Sequence, residues 1–129
     1  MKLNSLLIIA TLFITLLNGC KSKTANELII NKWHLYEMSG KDSESIPDSI
    51  KTKMFKEASI EFMKDGKYQT MGMGEGLKKG TFHFSTDEKT IITTEDGGMP
   101  DTVAILELTS TKMIVKDPKA DVKISFKPH

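Results

Sequence analysis

The sequence has 129 residues, of which 39% are hydrophobic and 27% are charged, and its formal net charge at pH 7 is +1. It contains no arginine, and its 18 lysines are nearly balanced by 17 acidic residues. Proteins that bind nucleic acid usually carry a basic excess and use arginine at phosphates and bases, so we predict no nucleic-acid partner. The length suits a single domain, and the single cysteine excludes an internal disulfide bond.

The first 19 residues have the three parts of a secretory signal peptide. Lys2 precedes the apolar run Leu6–Leu17, and the small residue Gly19 stands just before Cys20. The apolar run is shorter than the ~20 residues that a membrane-spanning helix needs. We therefore predict a signal peptide at residues 1–19, cut between Gly19 and Cys20. Two alternatives for Cys20 are a buried thiol in an N-terminal helix and a free thiol left by ordinary signal peptidase.

The segment Leu17-Asn18-Gly19-Cys20 resembles the lipobox of bacterial lipoproteins. This resemblance implies that the Cys20 sulfur receives diacylglycerol and that the new amino group is acylated, as with palmitate. Two or three acyl chains hold a protein on a membrane far more firmly than one chain does, so the membrane is a predicted partner. Lys21 stands where aspartate marks inner-membrane retention, which implies the outer membrane of the cell envelope, on its periplasmic face.

Cleavage after residue 19 would leave 110 residues with 17 lysines and 17 acidic residues, because Lys2 is lost. The segment Lys21–Glu27 is polar and shows no apolar periodicity. We therefore interpret residues 20–28 as the acylated cysteine and a solvated tether. The folded domain is predicted to span residues 29–129.

Apolar and polar residues then mostly alternate, which is the period of β-strands. Trp33 and Leu35 share one face of the first strand, and Ile124 and Phe126 share one face of the last. Short turns such as Asp65-Gly66 separate the strands. The predicted strands number eight and contain Trp33–Tyr36, Ile60–Phe62, Tyr68–Met73, Thr81–Phe84, Thr90–Thr94, Thr102–Leu108, Lys112–Lys116 and Val122–Phe126.

The strand spacing of about ten residues predicts an all-β fold, an antiparallel up-and-down barrel closed by pairing of its first and last strands. In the sixth strand we expect Ala104, Leu106 and Leu108 to share one face.

The one long link, between the first two strands, is predicted to contain a short helix at Pro47–Glu57. Proline suits the first turn of a helix. Ile46, Ile50 and Met54 recur every four residues and would form one apolar stripe, with Phe55 beside it.

The pattern resembles a known family, and four motifs carry the resemblance. They are Trp33-x-Leu35, Ile60-x-Phe62-x-x-Asp65-Gly66-x-Tyr68, Gly80-x-Phe82 and Leu106-x-Leu108-Thr109. The family is that of the small lipocalin-like lipoproteins of diderm bacteria. The resemblance implies a lipocalin-like barrel and a small apolar ligand.

True lipocalins are less similar to this sequence. Their Gly-x-Trp motif appears here as Asn31-Lys32-Trp33, without the glycine. The arginine that covers this tryptophan in lipocalins is absent, and Lys123 or Lys127 is expected to take its place.

The interior of the predicted barrel is rich in large side chains. The candidate residues of the core or of a ligand cavity are Trp33, Leu35, Phe62, Phe82, Phe84 and Phe126. An eight-stranded barrel is just wide enough for its own side chains or for one small ligand. We therefore expect a nearly filled interior, with any pocket small and close to one end.

A metal site is the less favoured interpretation of Met71-Gly72-Met73-Gly74. Two thioethers at alternate positions are soft ligands of the kind that select Cu(I), but methionine is also a common filler of irregular cores. His34, His83 and His129 have no spacing that zinc sites use.

No motif predicts catalysis. The adjacent carboxylates Asp87-Glu88 and Glu95-Asp96 fall at predicted turns, where solvated charge is the ordinary explanation. No nucleophile or phosphate-loop motif is present, so we predict a monomeric protein that is not an enzyme and needs no cofactor. Three functions stay open: a binder of a small apolar ligand, an envelope interaction or structural protein with a filled barrel, and a Cu(I)-handling protein.

Overall fold

The structure is a computed structural model that describes residues 21–74 and 76–129. The predicted signal peptide, the lipobox and Cys20 lie outside the described residues. Within the two described ranges, no helix is both long and apolar enough to cross a membrane.

The described residues form eight antiparallel strands, and each strand pairs with the next along the chain. The strands are β1 (Lys32–Ser39), β2 (Ser59–Phe62), β3 (Lys67–Met71), β4 (Lys78–Phe84), β5 (Thr90–Glu95), β6 (Pro100–Leu108), β7 (Met113–Lys116) and β8 (Lys123–Pro128). Strand β1 also pairs with β8, which closes the barrel. The all-β up-and-down barrel predicted from alternation and turn spacing is confirmed.

The seam between β1 and β8 brings together Leu35, Ile124 and Phe126, which alternation had placed on the facing strands, and adds Met38, which it had not. Leu35 lies opposite Phe126, and Met38 lies opposite Ile124. A β-bulge between Leu35 and Glu37 adds one residue to β1. Because of this extra residue, Met38 is the next β1 side chain to pack against the core after Leu35, while Glu37 is exposed.

The prediction that Ala104, Leu106 and Leu108 share one face of β6 was wrong. Val103 and Ile105 pack against the core, whereas Leu106 is 49% exposed. A second bulge, between Ile105 and Glu107, shifts the register against β7, so Leu108 returns to the core opposite Met113. A bulge adds one residue to a strand, so the side chains on its two sides no longer follow the same in-and-out alternation. For this reason Leu106 does not share a face with Leu108.

A short helix, α1 (Ala25–Ile29), precedes the barrel. Thr24 caps it: the Thr24 hydroxyl accepts a hydrogen bond from the Glu27 N–H, and the Glu27 carboxylate accepts one from the Thr24 N–H. Ile29 at its end is fully buried in the core. The tether predicted over residues 20–28 is therefore corrected, because its second half is helical and leads into a core residue.

Two more helices fill the link between β1 and β2. The first, α2 (Lys41–Glu44), precedes the stretch in which the sequence predicts a helix. The second, α3 (Asp48–Glu57), agrees with the predicted helix, with Pro47 at the N-cap position.

The face that α3 turns to the barrel differs from the predicted stripe. Met54 and Phe55 pack against the core, but Ile50 is 49% exposed. His34, on the outer face of β1, donates a hydrogen bond from Nε2 to the Phe55 carbonyl oxygen at 2.7 Å. This bond uses one of the last carbonyls of the helix, which have no partner within the helix itself.

The two ends of the barrel differ. The up-and-down order places the β2–β3, β4–β5 and β6–β7 turns at the same end as α1, and we call this the closed end. The β1–β2 link and the β3–β4, β5–β6 and β7–β8 turns lie at the other end, which we call the mouth. At the mouth, the Asp121 N–H donates to Asp42 Oδ2 at 2.6 Å, so α2 is tied to the β7–β8 turn.

The core is continuous and belongs entirely to this domain. Its buried apolar members are Ile29, Trp33, Leu35, Ala58, Phe62, Tyr68, Phe82, Ile91, Met113, Val115 and Phe126. All of them lie within residues 29–126, so a chain that begins at Lys21 retains the complete barrel and its core. We expect such a chain to fold without the residues before it.

Candidate ligand-binding cavity

Three aromatic side chains pack against one another in the closed half of the barrel, and two of them, Phe82 and Phe84, also line a depression at its end. The Phe82 ring meets the Phe62 ring edge to face, with 4.8 Å between centroids and 72° between planes. The Phe84 ring lies 6.4 Å from Phe82 in a similar edge-to-face arrangement. Aromatic pairs of this geometry are favourable beyond the area they bury, so this half has a well-packed interior.

Trp33 holds α1 at the closed end of the barrel through a hydrogen bond. Its indole Nε1 donates a hydrogen bond to the Ile29 carbonyl oxygen at 2.9 Å, and both residues are fully buried. The expectation that Lys123 or Lys127 covers Trp33 was wrong. Lys127 Nζ lies 5.9 Å from the ring centroid of Tyr36 on the outer face, and Lys123 begins β8 at the mouth. Helix α1 covers the tryptophan instead.

The mouth half encloses a cavity of about 290 Å³. That volume equals the liquid volume of roughly ten water molecules and falls at the small end of ligand pockets, which span about 300–1,000 Å³. Its apolar wall consists of Ile60, Phe62, Met73, Ile91, Val103, Met113, Val115, Ile124 and Phe126. Tyr68, Thr70 and Thr93 add hydroxyl groups to this wall.

Charged side chains surround the opening of the cavity. Lys78 begins β4, Asp101 lies near the start of β6, and Asp117 follows β7 directly. Lys78 Nζ lies 3.5 Å from Glu95 Oε2, and Lys119 Nζ donates to Asp101 Oδ1 at 3.1 Å. The cavity thus joins an apolar floor to a charged rim.

Burial and the charges of the rim shift the pKa values of two lining residues, Tyr68 and Asp101. Burial raises the pKa of the Tyr68 phenol above 10.0, and the nearby Glu95 carboxylate raises it further, against a lowering by the Thr93 side chain. The hydrogen bond from the Lys119 ammonium holds the pKa of Asp101 below 3.8, helped by the Thr102 backbone N–H. At neutral pH the phenol is therefore protonated and Asp101 is ionised.

The closed eight-stranded barrel can be compared with known proteins. Residues 29–115 match the model of the lipocalin-like domain family. The chain belongs to this family. No curated protein matches the sequence.

Two solved structures share the lipocalin-like fold. A crystal structure of a DUF4847 family protein from Bacteroides vulgatus superposes with a TM-score of 0.52 at 17% sequence identity, covering 78% of this chain and 93% of that one. An NMR structure of a protein from Bacteroides uniformis gives a TM-score of 0.54 at 18% identity, covering 81% of this chain and 91% of that one. At these identities the similarity concerns the fold alone.

Met71 and Met73 do not form a pair in this lipocalin-like barrel. Strand β3 ends at Met71, whose side chain is 56% exposed on the outside, whereas Met73 lines the cavity. Gly72 lies between them with φ +71°, and a Cβ there would come within 2.5 Å of the Glu57 carbonyl oxygen. The chain therefore turns sharply against the end of α3, and this turn breaks the alternation that would have placed both sulfurs on one face.

The histidines and the Asp87-Glu88 pair are also separate from the cavity, whereas Glu95 of the second pair lies at its rim beside Lys78. His34 and His129 contact each other at 6.1 Å between ring centroids, near the closed end, and His83 is exposed on β4. In the part of the chain that the structure describes, no three His, Cys, Asp or Glu side chains are grouped so as to hold a metal ion. Asp87 and Glu88 lie in the β4–β5 turn at the closed end.

A larger depression, of about 850 Å³, lies at the closed end between α1 and the β2–β3 and β4–β5 turns. It is wider open than the mouth cavity, and exposed polar side chains such as Lys23, Lys64 and Glu88 form much of its border. A small apolar molecule in this depression would keep much of its surface in water. The mouth cavity is the better candidate site, because ligand sites usually enclose most of the ligand.

The structure divides the six candidate interior residues between the two halves of the barrel. Phe62 and Phe126 line the mouth cavity, while Trp33, Leu35, Phe82 and Phe84 do not line it. Sequence reasoning missed the remaining wall residues and the rim residues Lys78, Asp101 and Asp117. The alternation around Tyr68, Ile91 and Val115 could have located the wall, but no local signal marks the rim.

Proposed function

We propose that this chain is a lipid-anchored envelope protein whose barrel binds a small, largely apolar molecule in the mouth cavity. The cavity carries this proposal, because it is the one place in the described residues where an apolar wall encloses a volume of ligand size and opens to solvent. Residues 21–74 and 76–129 contain no arrangement of side chains that favours catalysis, and we propose a binding protein and not an enzyme.

The size of the cavity limits the ligand. A volume of about 290 Å³ suits a short alkyl chain or a molecule of two to three aromatic rings and excludes a long acyl chain in full. Burying about 200 Å² of apolar ligand surface at ~25 cal/mol per Å² gives roughly 5 kcal/mol before side-chain ordering is counted. We therefore expect dissociation constants of about 0.2 mM or weaker.

Replacing Thr93 with phenylalanine is expected to abolish binding. Thr93 lines the cavity from β5, and a phenyl ring at this position would occupy much of the small volume. The measurement is a fluorescence titration of the domain Lys21–His129 with N-phenyl-1-naphthylamine, a neutral apolar probe that brightens on leaving water. The unaltered domain should bind one probe per chain, and Thr93→Phe should lower the affinity at least about tenfold, or 1.4 kcal/mol.

The matched control is Thr94→Phe. Thr94 is the next residue of β5 and pairs with Thr81, which is exposed on the outer face, so the same added ring should leave probe binding unchanged. If the unaltered domain does not bind the probe, the proposal of ligand binding is wrong. The barrel would then be better explained as an envelope interaction or structural protein, consistent with the filled closed half.

The proposal of a lipid anchor rests on the Leu17-Asn18-Gly19-Cys20 motif and predicts a second result. Cys20→Ser should abolish acylation, because serine has no sulfur to receive diacylglycerol. Metabolic labelling of cells with a radioactive fatty acid tests it, with Ser22→Ala as the control that should keep its label. Label retained in Cys20→Ser would mean that the protein is anchored in another way or not at this residue.

A further inference from the structure

Two lysines at the rim of the cavity, Lys78 and Lys119, are engaged by carboxylates of the protein itself. Lys78 Nζ lies 3.5 Å from Glu95 Oε2. Lys119 Nζ lies 3.1 Å from Asp101 Oδ1. A ligand carboxylate that entered the mouth would have to compete with these internal partners for either ammonium group.

Asp117 is the rim carboxylate that differs from the others. It lines the cavity, it is half-buried, and its Oδ1 accepts a hydrogen bond from the Lys119 backbone N–H at 2.8 Å. No lysine in the described ranges forms an ion pair with it. Since an ionised carboxylate has about four acceptor sites, Asp117 retains capacity to accept hydrogen bonds from a ligand at the mouth.

The charges of this rim sum to an acidic excess. Glu95, Asp101 and Asp117 provide three carboxylates, against the two ammonium groups of Lys78 and Lys119. The effect of this excess reaches the cavity wall, since the charges of Glu95, Asp96 and Asp101 all act to raise the pKa of the Tyr68 phenol. A ligand whose apolar part lies against the apolar wall of the cavity would have its polar end among the charged residues of the rim.

We propose that the mouth cavity prefers a small amphiphile that ends in a primary ammonium group over one that ends in a carboxylate, with Asp117 as the group that receives the ammonium. This inference rests on the proposed ligand binding and specifies its chemistry. A protonated amine would donate charge-assisted hydrogen bonds to the Asp117 carboxylate, while its alkyl chain lies against Phe62, Met113 and Phe126. A fatty acid of the same length would meet the acidic excess and find no lysine without an internal partner in the described rim.

The experiment compares three ligands with the same eight-carbon chain: n-octylamine, n-octanol and octanoate. The affinity of each ligand is measured by its displacement of N-phenyl-1-naphthylamine from the domain Lys21–His129 at neutral pH and low ionic strength. Because the rim is partly exposed, we expect a preference of about fivefold for the amine over octanoate, with octanol between them. The preference should shrink at high salt, since salt screens exposed charges.

Asp117→Asn should bring the amine and octanoate affinities close together, because the amide keeps an acceptor for the Lys119 N–H and loses the charge. Asp65→Asn is the matched control. Asp65 also accepts a backbone N–H two residues ahead, from Lys67, but it lies in the β2–β3 turn at the closed end, where Asn-Gly suits a hairpin as well as Asp-Gly does. This control changes the net charge by the same amount and should keep the preference for the amine.

Each outcome decides the inference. An amine preference that Asp117→Asn removes and Asp65→Asn retains supports it. Probe binding combined with equal or tighter binding of octanoate overturns the inference and leaves the proposed function standing. If the probe itself does not bind, the proposed function fails and the inference fails with it.

Discussion

Replacing Trp33 with alanine is expected to lower the free energy of unfolding by about 3–5 kcal/mol, the usual cost of truncating a fully buried aromatic side chain. Trp33 has no exposed surface and is the largest side chain of the core. The change also removes the hydrogen bond to the Ile29 carbonyl oxygen that holds α1 across the closed end. Because Trp33 is the single tryptophan, urea unfolding should be followed by circular dichroism.

Two variants separate the contributions of the hydrogen bond and of the buried ring to the loss of stability in Trp33→Ala. Trp33→Phe keeps an aromatic ring but leaves the buried Ile29 carbonyl without its donor, which should cost about 1–3 kcal/mol. Tyr36→Ala removes an aromatic ring from the outer face of the same strand and should cost less than Trp33→Ala. If Trp33→Ala costs under about 1 kcal/mol, then α1 does not close the barrel in solution.

The fold could be predicted from the sequence because its strands are short, pair with their neighbours in sequence and are bounded by strong turn signals. Asp65-Gly66 lies at the β2–β3 turn, where Gly66 has φ +79°. Trp33 with Leu35 and Ile124 with Phe126 alternate cleanly, so the closing seam was predictable too. An up-and-down barrel needs little more than this, since every strand pairs with its neighbour in sequence.

The errors in the strand faces arise at two places where the regular alternation of a strand is interrupted. The bulge between Ile105 and Glu107 changes the parity of β6, so counting in twos from Leu108 put Leu106 inside when it is half exposed. At Met71 and Met73, the strand ends and a glycine turn replaces it. Bulges and strand ends depend on how neighbouring strands fit together, and a single sequence does not record that fit.

Helix α1 shows a signal that the sequence did carry. Thr24-Ala25-Asn26-Glu27 has the spacing of a capping box, and Ile29 follows as an apolar residue that can be buried. The segment Lys21–Glu27 is polar overall, and this composition led to the prediction of a tether in place of a helix. A five-residue helix is too short to be stable alone, so its formation depends on the burial of Ile29 and on the bond to Trp33.

The rim of the cavity was beyond sequence reasoning for a different reason. Lys78, Asp101 and Asp117 come from the mouth ends of three strands and lie up to 39 positions apart in the sequence. Each one resembles an ordinary solvated charge beside a turn. Their grouping becomes visible only when the closed barrel brings those strand ends to one opening.

Replacing Phe126 with alanine should also destabilise the barrel by about 3–5 kcal/mol. Phe126 is 3% exposed and lies between Leu35 of β1 and Met113 of β7 at the seam that closes the sheet. Its ring also forms part of the cavity wall. The volume it leaves should therefore join the existing cavity, so the fraction of protein that remains folded should still bind N-phenyl-1-naphthylamine.

Lys127→Ala is the control for this variant, since Lys127 is the next residue of β8 and is exposed on the outer face. It should change the free energy of unfolding by less than about 0.5 kcal/mol. Urea unfolding followed by Trp33 fluorescence measures both variants in the same way. A loss under about 1 kcal/mol for Phe126→Ala would mean that β8 is not held against the core. The β1–β8 seam would then be open in solution, and the mouth cavity would not have a closed wall.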